Sequence, residues 1–151
     1  MREEEWLATL FHEVWDSKFP DVKKRNNVLV RWKGRWKNKF GHIKRLKNKD
    51  TEIVVNSLFK DERVPKEVIE LTIAHEIVHY MHGFNSPYEK RFKYPHQGGV
   101  VERELRKRGY NELVNLEKSW SKSEWPKILG ERNNRDGVVR VKQLRSSFRL
   151  F

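Results

Sequence analysis

Cysteine is absent from this 151-residue sequence. Its absence excludes disulfides, a zinc ribbon built from cysteine ligands and a thiol nucleophile. Long apolar runs are also missing, so no segment is predicted to cross a membrane. Apolar residues make up only 36% of the chain, which predicts one modest core under a highly charged surface. The first residues, MREEEWLATLF, lack the basic-then-apolar pattern of a secretory signal. We therefore expect a protein of the cytoplasm, nucleoid or nucleus that is not secreted and has no membrane partner.

Acidic residues are missing from one long segment. Residues 22–49 hold twelve Lys or Arg and no Asp or Glu, whereas the rest of the chain has 21 residues of each sign. The net charge of +12 therefore originates in this segment, which indicates an acidic partner, and nucleic acid is the partner we favour. A merely solubilising charged surface is the alternative. Ion-pair networks need both signs, however, and this segment has one.

The side chains in this segment suit phosphates and bases. Lysine and arginine neutralise phosphates, and exposed tryptophans stack on unpaired bases. No groove-reading motif is present, so we predict sequence-independent binding of DNA, including single-stranded DNA. Packing beneath a sheet is the alternative for the two tryptophans. The candidate nucleic-acid-binding residues are Arg31, Trp32, Lys33, Arg35, Trp36, Lys37, Lys39, Lys44 and Arg45.

Hydrophobic spacing predicts an α+β domain. Helical periodicity is present at residues 2–16, at 65–82, and from about 96–98 to 108, while β-favouring runs occupy 28–34, 40–46 and 51–56. We predict a small, mainly antiparallel sheet of about three strands packed on a central helix, with flanking helices. Residues 1–120 are predicted to form this domain. Residues 121–151 are predicted to be a basic C-terminal extension packed on it or appended to it.

The predicted central helix carries the stretch TIAHEIVHY. Positions i and i+4 of a helix share one face, so His75 and His79 can direct two imidazoles at one metal ion. Glu76 is placed to reach a water molecule beside the metal, which is the logic of the H-E-x-x-H motif of zinc proteases. The alternative is a helix with two core histidines. Glu76 would then be a costly buried carboxylate without a role.

A catalytic zinc ion needs a third protein ligand and an open position. His82 lies on the same helical face, but seven residues from His75 is about 10.5 Å along the axis, so convergence on one ion is poor. His96 opens the next predicted helix, and a chain that folds back would bring it to the metal. Glu102 or Glu104 on that helix would give a glutamate-type site instead. We favour His96 over either glutamate.

Taken in order, these segments resemble a SprT-like metalloprotease domain, the kind found in Spartan-type proteases, over about residues 28–109. The resemblance rests on VLVRWKGRWKNKFGHI, on TEIVVNSLF, on Pro-x-Glu-Val before H-E-x-x-H, and on a later histidine followed by glycine. The third motif departs from the family in reading His96-Gln97-Gly98-Gly99, and the cysteine zinc ribbon of many members is absent.

The resemblance implies a minimal zincin-like fold with one catalytic Zn²⁺ held by His75, His79 and His96. It implies that Glu76 is the catalytic acid/base and that the substrates are proteins crosslinked or otherwise bound to DNA. Two other functions stay open: a general zinc peptidase or metallohydrolase without DNA dependence, and a non-enzymatic nucleic-acid-binding protein with structural zinc. We expect a monomer.

Overall fold

The computed structural model describes residues 1–135. Within this range the chain forms five α-helices and a small three-stranded sheet, which confirms the predicted α+β class. Two short 3₁₀ turns, Ser57–Lys60 and Gln97–Gly99, connect elements. In chain order the elements are α1 (Glu4–Lys18), β1 (Val28–Lys33), β2 (Gly41–Arg45), β3 (Thr51–Asn56), α2 (Lys66–Met81), α3 (Val100–Lys107), α4 (Asn111–Ser123) and α5 (Trp125–Arg135).

The sheet is mixed, so the prediction of a mainly antiparallel sheet was wrong. The strand order is β1-β3-β2, with β3 antiparallel to β2 and parallel to β1. A tight turn joins β2 to β3, and Lys49 adopts a positive φ of 74° in it. All six residues of β3 are buried. A strand that is buried along its whole length takes the centre of a sheet, so β3 separates β1 from β2.

Helix α2 is the central helix, as predicted. Twelve of its sixteen residues are buried, and it contacts α1, α3, α4, β2 and β3. Pro65 is the N-cap rather than the first helical residue. Gly83 follows the helix with φ +85°, and a Cβ there would lie 2.3 Å from the Glu89 carbonyl oxygen. Only glycine fits this C-terminal turn, which directs the chain back across the end of α2.

The region after residue 109 contains two helices that hydrophobic spacing did not predict. The predicted domain boundary at residue 120 falls inside α4. Trp125 is fully buried and its ring stacks on Trp120 at 5.5 Å between centroids. Both tryptophans meet Phe40 and Phe59 edge-on. The start of the predicted extension is thus part of the core, while its residues 136–151 lie outside the described residues.

None of the helices in residues 1–135 is both long and apolar enough to span a membrane. Helix α2 is covered by the sheet on one side and by α1, α3 and α4 elsewhere. His75, the first histidine of the H-E-x-x-H motif, lines a cleft that opens at the surface.

Candidate metal centre

The first two histidines of the site come from one face of α2. His75 and His79 are one helical turn apart, and their ring centroids are 4.7 Å apart. His79 is 3% exposed, whereas His75 is partly exposed. Twelve of the sixteen residues of α2 are buried. This packing holds the helix in place and fixes the spacing of the two imidazoles.

His96 reaches the same place by way of a long loop. The loop is tied to the end of α2, because Arg91 N–H donates to the His82 carbonyl at 2.9 Å and Ser86 Oγ donates to the Tyr80 carbonyl at 2.7 Å. Immediately after His96, Gly98 and Gly99 both take left-handed backbone angles, with φ of 57° and 70°. This pair turns the chain into α3 while His96 stays at the metal site, which explains the glycines of His-Gln-Gly-Gly.

The three histidines form one compact group of nitrogen donors. One donor atom from each of His75, His79 and His96 lies within 4.8 Å of the others. The Nε2 atoms of His75 and His96 are 3.1 Å apart. The group runs from buried His79 through His75 to exposed His96, so its open side faces solvent.

The other candidate ligands are outside the group of converging donor atoms. Glu102 is engaged by Lys118 at 2.7 Å and by Arg106 at 3.4 Å, and Glu104 is engaged by Arg108 at 2.7 Å. His82 is the C-cap of α2, buried edge-on against Phe92 at 4.9 Å. Of these candidates in the described part of the chain, only His96 brings a donor atom within 4.8 Å of those of His75 and His79.

Glu76 is fully buried beside the group. Its carboxylate oxygens have no hydrogen-bond partner among the described residues. Burial raises the pKa of Glu76 well above its usual value, and the positive charge of Lys39 opposes the shift. A buried carboxylate without a partner is costly, and a fold that keeps one has a use for it beyond stability.

Strand β2 lies against this part of α2. A Cβ added to Gly41 would be 2.6 Å from the Val54 carbonyl oxygen, 2.8 Å from Thr72 Cγ2 and 3.5 Å from Glu76 Oε2. The absence of a side chain at Gly41 allows the edge strand to approach the Glu76 carboxylate closely. Gly41 was not predicted as a site residue. A glycine in a strand indicates that another part of the chain comes close, but the sequence does not show which part.

A cavity opens beside His75 and His96 and has a volume of about 160 Å³. Its walls are mainly aliphatic, with Glu102 and Glu117 as the acidic residues. The aliphatic lining residues are Leu71, Val101, Leu105 and Val114. This cavity could not be predicted from local sequence patterns, since its lining combines residues of α2, α3 and α4.

The donor set fits zinc. Three neutral imidazoles are zinc ligands of the catalytic type, which leave one tetrahedral position for water or substrate. No fourth His, Cys, Asp or Glu joins the group within the part of the chain that the structure describes. A structural zinc site would be closed by four protein ligands.

The predicted nucleic-acid residues separate into distinct environments. Arg31 and Lys33 lie on β1 and both form ion pairs with Glu52, at 3.1 Å and 3.0 Å. Lys44 on β2 is paired in register with Glu52 on β3, so it belongs to the same sheet face. The all-basic segment therefore receives an acidic partner from the neighbouring strand, and two of its cations are partly neutralised.

The two tryptophans differ. Trp32 is 5% exposed, its ring stacks on Trp6 at 6.3 Å, and its Nε1 donates to the Glu3 carbonyl at 3.2 Å. Trp32 is thus a core residue that cannot stack on a base, which corrects its assignment to the nucleic-acid surface. Trp36 is partly exposed. It lies against His42, with the Lys39 ammonium 4.2 Å from its ring centroid.

The remaining members of the set lie on the segment between β1 and β2 or at the end of β2. Arg35 is exposed and Lys37 is partly exposed. Arg45 donates from Nε to the Lys49 carbonyl at 2.8 Å, which closes the β2–β3 turn.

Asn56 holds this connecting segment in place. Its buried amide donates to the carbonyls of Trp36 at 2.7 Å and Lys39 at 2.8 Å, and its side-chain oxygen accepts from the Leu58 N–H. Trp125 Nε1 donates to the Lys37 carbonyl at 3.1 Å. The asparagine at the end of TEIVVN was visible in the sequence, but its role depends on the tertiary contact.

Comparison with models of known protein families, with curated proteins and with solved structures finds no match. The resemblance to SprT-like domains therefore rests on the sequence motifs alone.

Proposed function

We propose that this protein is a zinc-dependent endopeptidase with a zincin-like fold, similar to SprT-like proteases, that cleaves proteins bound or crosslinked to DNA. The observation that carries the proposal is the convergence of three histidine donors, within 4.8 Å, beside a fully buried carboxylate. His75, His79 and His96 would hold the metal ion.

A bound zinc ion would polarise the scissile carbonyl and make water more acidic. Glu76 takes a proton from the attacking water and delivers it to the leaving amine. Burial raises the pKa of Glu76 in the metal-free protein, and the positive charge of a bound zinc ion would oppose this shift. The partly exposed His75 and exposed His96 keep the reacting position open to a macromolecular substrate.

The outer edge of strand β2 is a suitable binding place for an extended peptide substrate. Among the described residues β2 pairs with β3 alone, so its outer edge has free backbone donors and acceptors. An extended peptide can add to such an edge, and Gly41 places this edge next to Glu76.

The DNA part of the proposal rests on charge. The chain carries +12, and the sheet face with Arg31, Lys33 and Lys44 holds three cations for one buried carboxylate, Glu52. Arg35, Trp36, Lys37 and Lys39 extend this basic surface along the connecting segment. Sequence-independent binding through phosphates follows from such a surface.

The test incubates the zinc-loaded protein with a DNA-binding protein substrate, without DNA and with single- or double-stranded DNA. Glu76→Gln is the test variant, and Glu67→Gln, an exposed glutamate on the same helix, is the matched control. We expect zinc-dependent cleavage that is faster with DNA than without it. Glu67→Gln should cleave like wild type, whereas Glu76→Gln should lower the cleavage rate by ~10²–10⁴-fold.

Each alternative predicts a different result. Equal cleavage with and without DNA would favour a general zinc peptidase. DNA binding without cleavage of any substrate would favour a non-enzymatic protein with structural zinc. Full activity of Glu76→Gln would contradict the assigned mechanism.

A further inference from the structure

A second basic surface lies between the loop after α2 and helix α3. An open cleft of about 440 Å³ separates the loop after α2 from the outer face of α3, and we call it the α3 cleft. It does not overlap the all-basic segment at residues 22–49. Its lining includes His82, Arg91, Phe92, Arg103, Arg106 and Lys107.

Positive charge in the α3 cleft is only partly balanced by nearby acids, since Arg106 pairs with Glu102 and Lys107 interacts electrostatically with Asp21. Arg91, Arg103 and Lys107 are exposed, and none has an ion-pair partner among residues 1–135. Glu104, the one acidic residue of the lining, is engaged by Arg108 at 2.7 Å. Three cations therefore face solvent around one concave surface, which favours a polyanion.

The floor of the α3 cleft adds no charge at neutral pH. His82 is 2% exposed, and burial lowers its pKa, as do the positive charges of Arg91 and Arg108. The positive potential thus comes from arginine and lysine, which stay charged over the physiological range.

Aromatic rings alternate with cations beside the cleft, in the sequence Arg91-Phe92-Lys93-Tyr94. Phe92 packs edge-on against His82 and anchors the segment. Tyr94 is 59% exposed, and the Lys93 ammonium lies 5.5 Å from its ring centroid. An exposed aromatic ring between cations is the arrangement that stacks on unpaired bases.

We propose that the α3 cleft and residues 91–94 bind single-stranded nucleic acid. Arg91, Arg103 and Lys107 contact successive phosphates, and the Tyr94 ring stacks on a base. The choice of nucleic acid as the polyanion rests on the proposed function. Tyr94 is two residues from His96, so a strand bound here passes beside the metal centre and holds a protein attached to it near Glu76.

The test measures binding of a fluorescent, unstructured oligonucleotide to the zinc-loaded full chain by anisotropy, between about 50 and 200 mM salt. The test variant is Arg103→Glu with Lys107→Glu. The matched control is Lys66→Glu with Lys122→Glu, which makes the same charge change at exposed helical sites away from the cleft. Losing two phosphate contacts should lower the slope of log affinity against log salt by about 1.4, while the control keeps the wild-type slope.

A second arm separates base stacking from charge. Tyr94→Ala should weaken oligonucleotide binding roughly tenfold without changing polyphosphate binding, and Tyr94→Phe should bind like wild type. Circular dichroism checks that each variant is folded, and Arg103→Ala with Lys107→Ala replaces the double glutamate variant if that one is not.

The outcomes distinguish this inference from the proposed function. If wild type binds but the cleft variant matches its control in affinity and slope, the α3 cleft is not the site, although DNA binding stands. An unchanged affinity in Tyr94→Ala would leave a general polyanion site and overturn the nucleic-acid assignment. Absence of any oligonucleotide binding by wild type would remove both this inference and the DNA part of the proposed function.

Discussion

Replacing Glu76 by glutamine should make the metal-free protein more stable while it removes activity. Glu76 is 0% exposed, and its two oxygens have no hydrogen-bond partner among the described residues. Glutamine has nearly the same shape and no charge. The substitution therefore removes the cost of burying a carboxylate and leaves the packing of α2 in place.

The expected gain follows from the burial. An unsatisfied buried polar group costs about 1–3 kcal/mol, and a charged one costs more than a neutral one. The buried glutamine amide also lacks partners, so the substitution removes only the extra cost of the charge. We expect Glu76→Gln to raise the free energy of unfolding by about 1–3 kcal/mol at pH 8, or the melting temperature by roughly 3–9 °C. Removing an acid/base group from the reaction should at the same time lower turnover by ~10²–10⁴-fold.

The stability difference depends on pH with a defined sign. The folded-state pKa of Glu76 is raised above its usual value of 4.5. The folded protein therefore binds the proton more tightly than the unfolded chain, and wild type loses stability as the pH rises above about 4.5. Glutamine does not titrate, so the gap between variant and wild type should be small near pH 4.5 and grow towards pH 8.

The assay is urea unfolding of both proteins in the presence of a chelator at several pH values, alongside peptidase activity with zinc restored. Glu67→Gln, exposed on the same helix, should change neither quantity. A Glu76→Gln protein that is less stable than wild type at pH 8 would refute the reasoning. It would mean that the carboxylate stabilises the fold through contacts the structure lacks.

Other substitutions test the elements that support the site. Gly41→Ala should destabilise the protein by about 1–3 kcal/mol and lower activity, as measured by denaturation and peptidase assays. The new Cβ would lie 2.6 Å from the Val54 carbonyl oxygen. Asn56→Ala should speed amide hydrogen exchange in residues 34–40 and cost about 1–3 kcal/mol, because two carbonyls lose their buried donor. The Arg108 guanidinium lowers the pKa of Asp21 to about 2. Asp21→Asn should lower the free energy of unfolding above about pH 4, and this difference from wild type should vanish as the pH falls through 2. It should stay under about 1 kcal/mol in denaturation curves, since the Asp21 side chain is 61% exposed.

Local patterns predicted the helix that carries the site. The apolar positions of residues 65–82 and the glycine at 83 are properties of one short segment, and α2 has nearly the predicted bounds. The spacing of His75 and His79 follows from helix geometry alone. For the same reason the H-E-x-x-H motif could be read as a metal site before any fold was known.

Non-local contacts decided what local patterns missed. Hydrophobic spacing did not lead us to predict the helices after residue 109. Their Trp120 and Trp125 pack on Phe40 and Phe59 from distant segments. The mixed sheet arises because β3 is buried along its whole length and takes the centre. Sequence neighbours do not reveal which strand will be central.

The sequence by itself determined the spacing of the histidine pair, the buried position of Glu76 and the excess of positive charge, because each depends on residue type and helical spacing. Only the tertiary structure decided that His96 joins the group, since the fourteen residues 82–95 between α2 and His96 can lead the chain to many places. Tertiary structure also moved Trp32 into the core and brought Glu52 to Arg31 and Lys33. The burial of Trp32 and the ion pairs of Glu52 depend on which strands lie next to each other. The order of the strands is determined by the folding of the whole chain, not by any single segment.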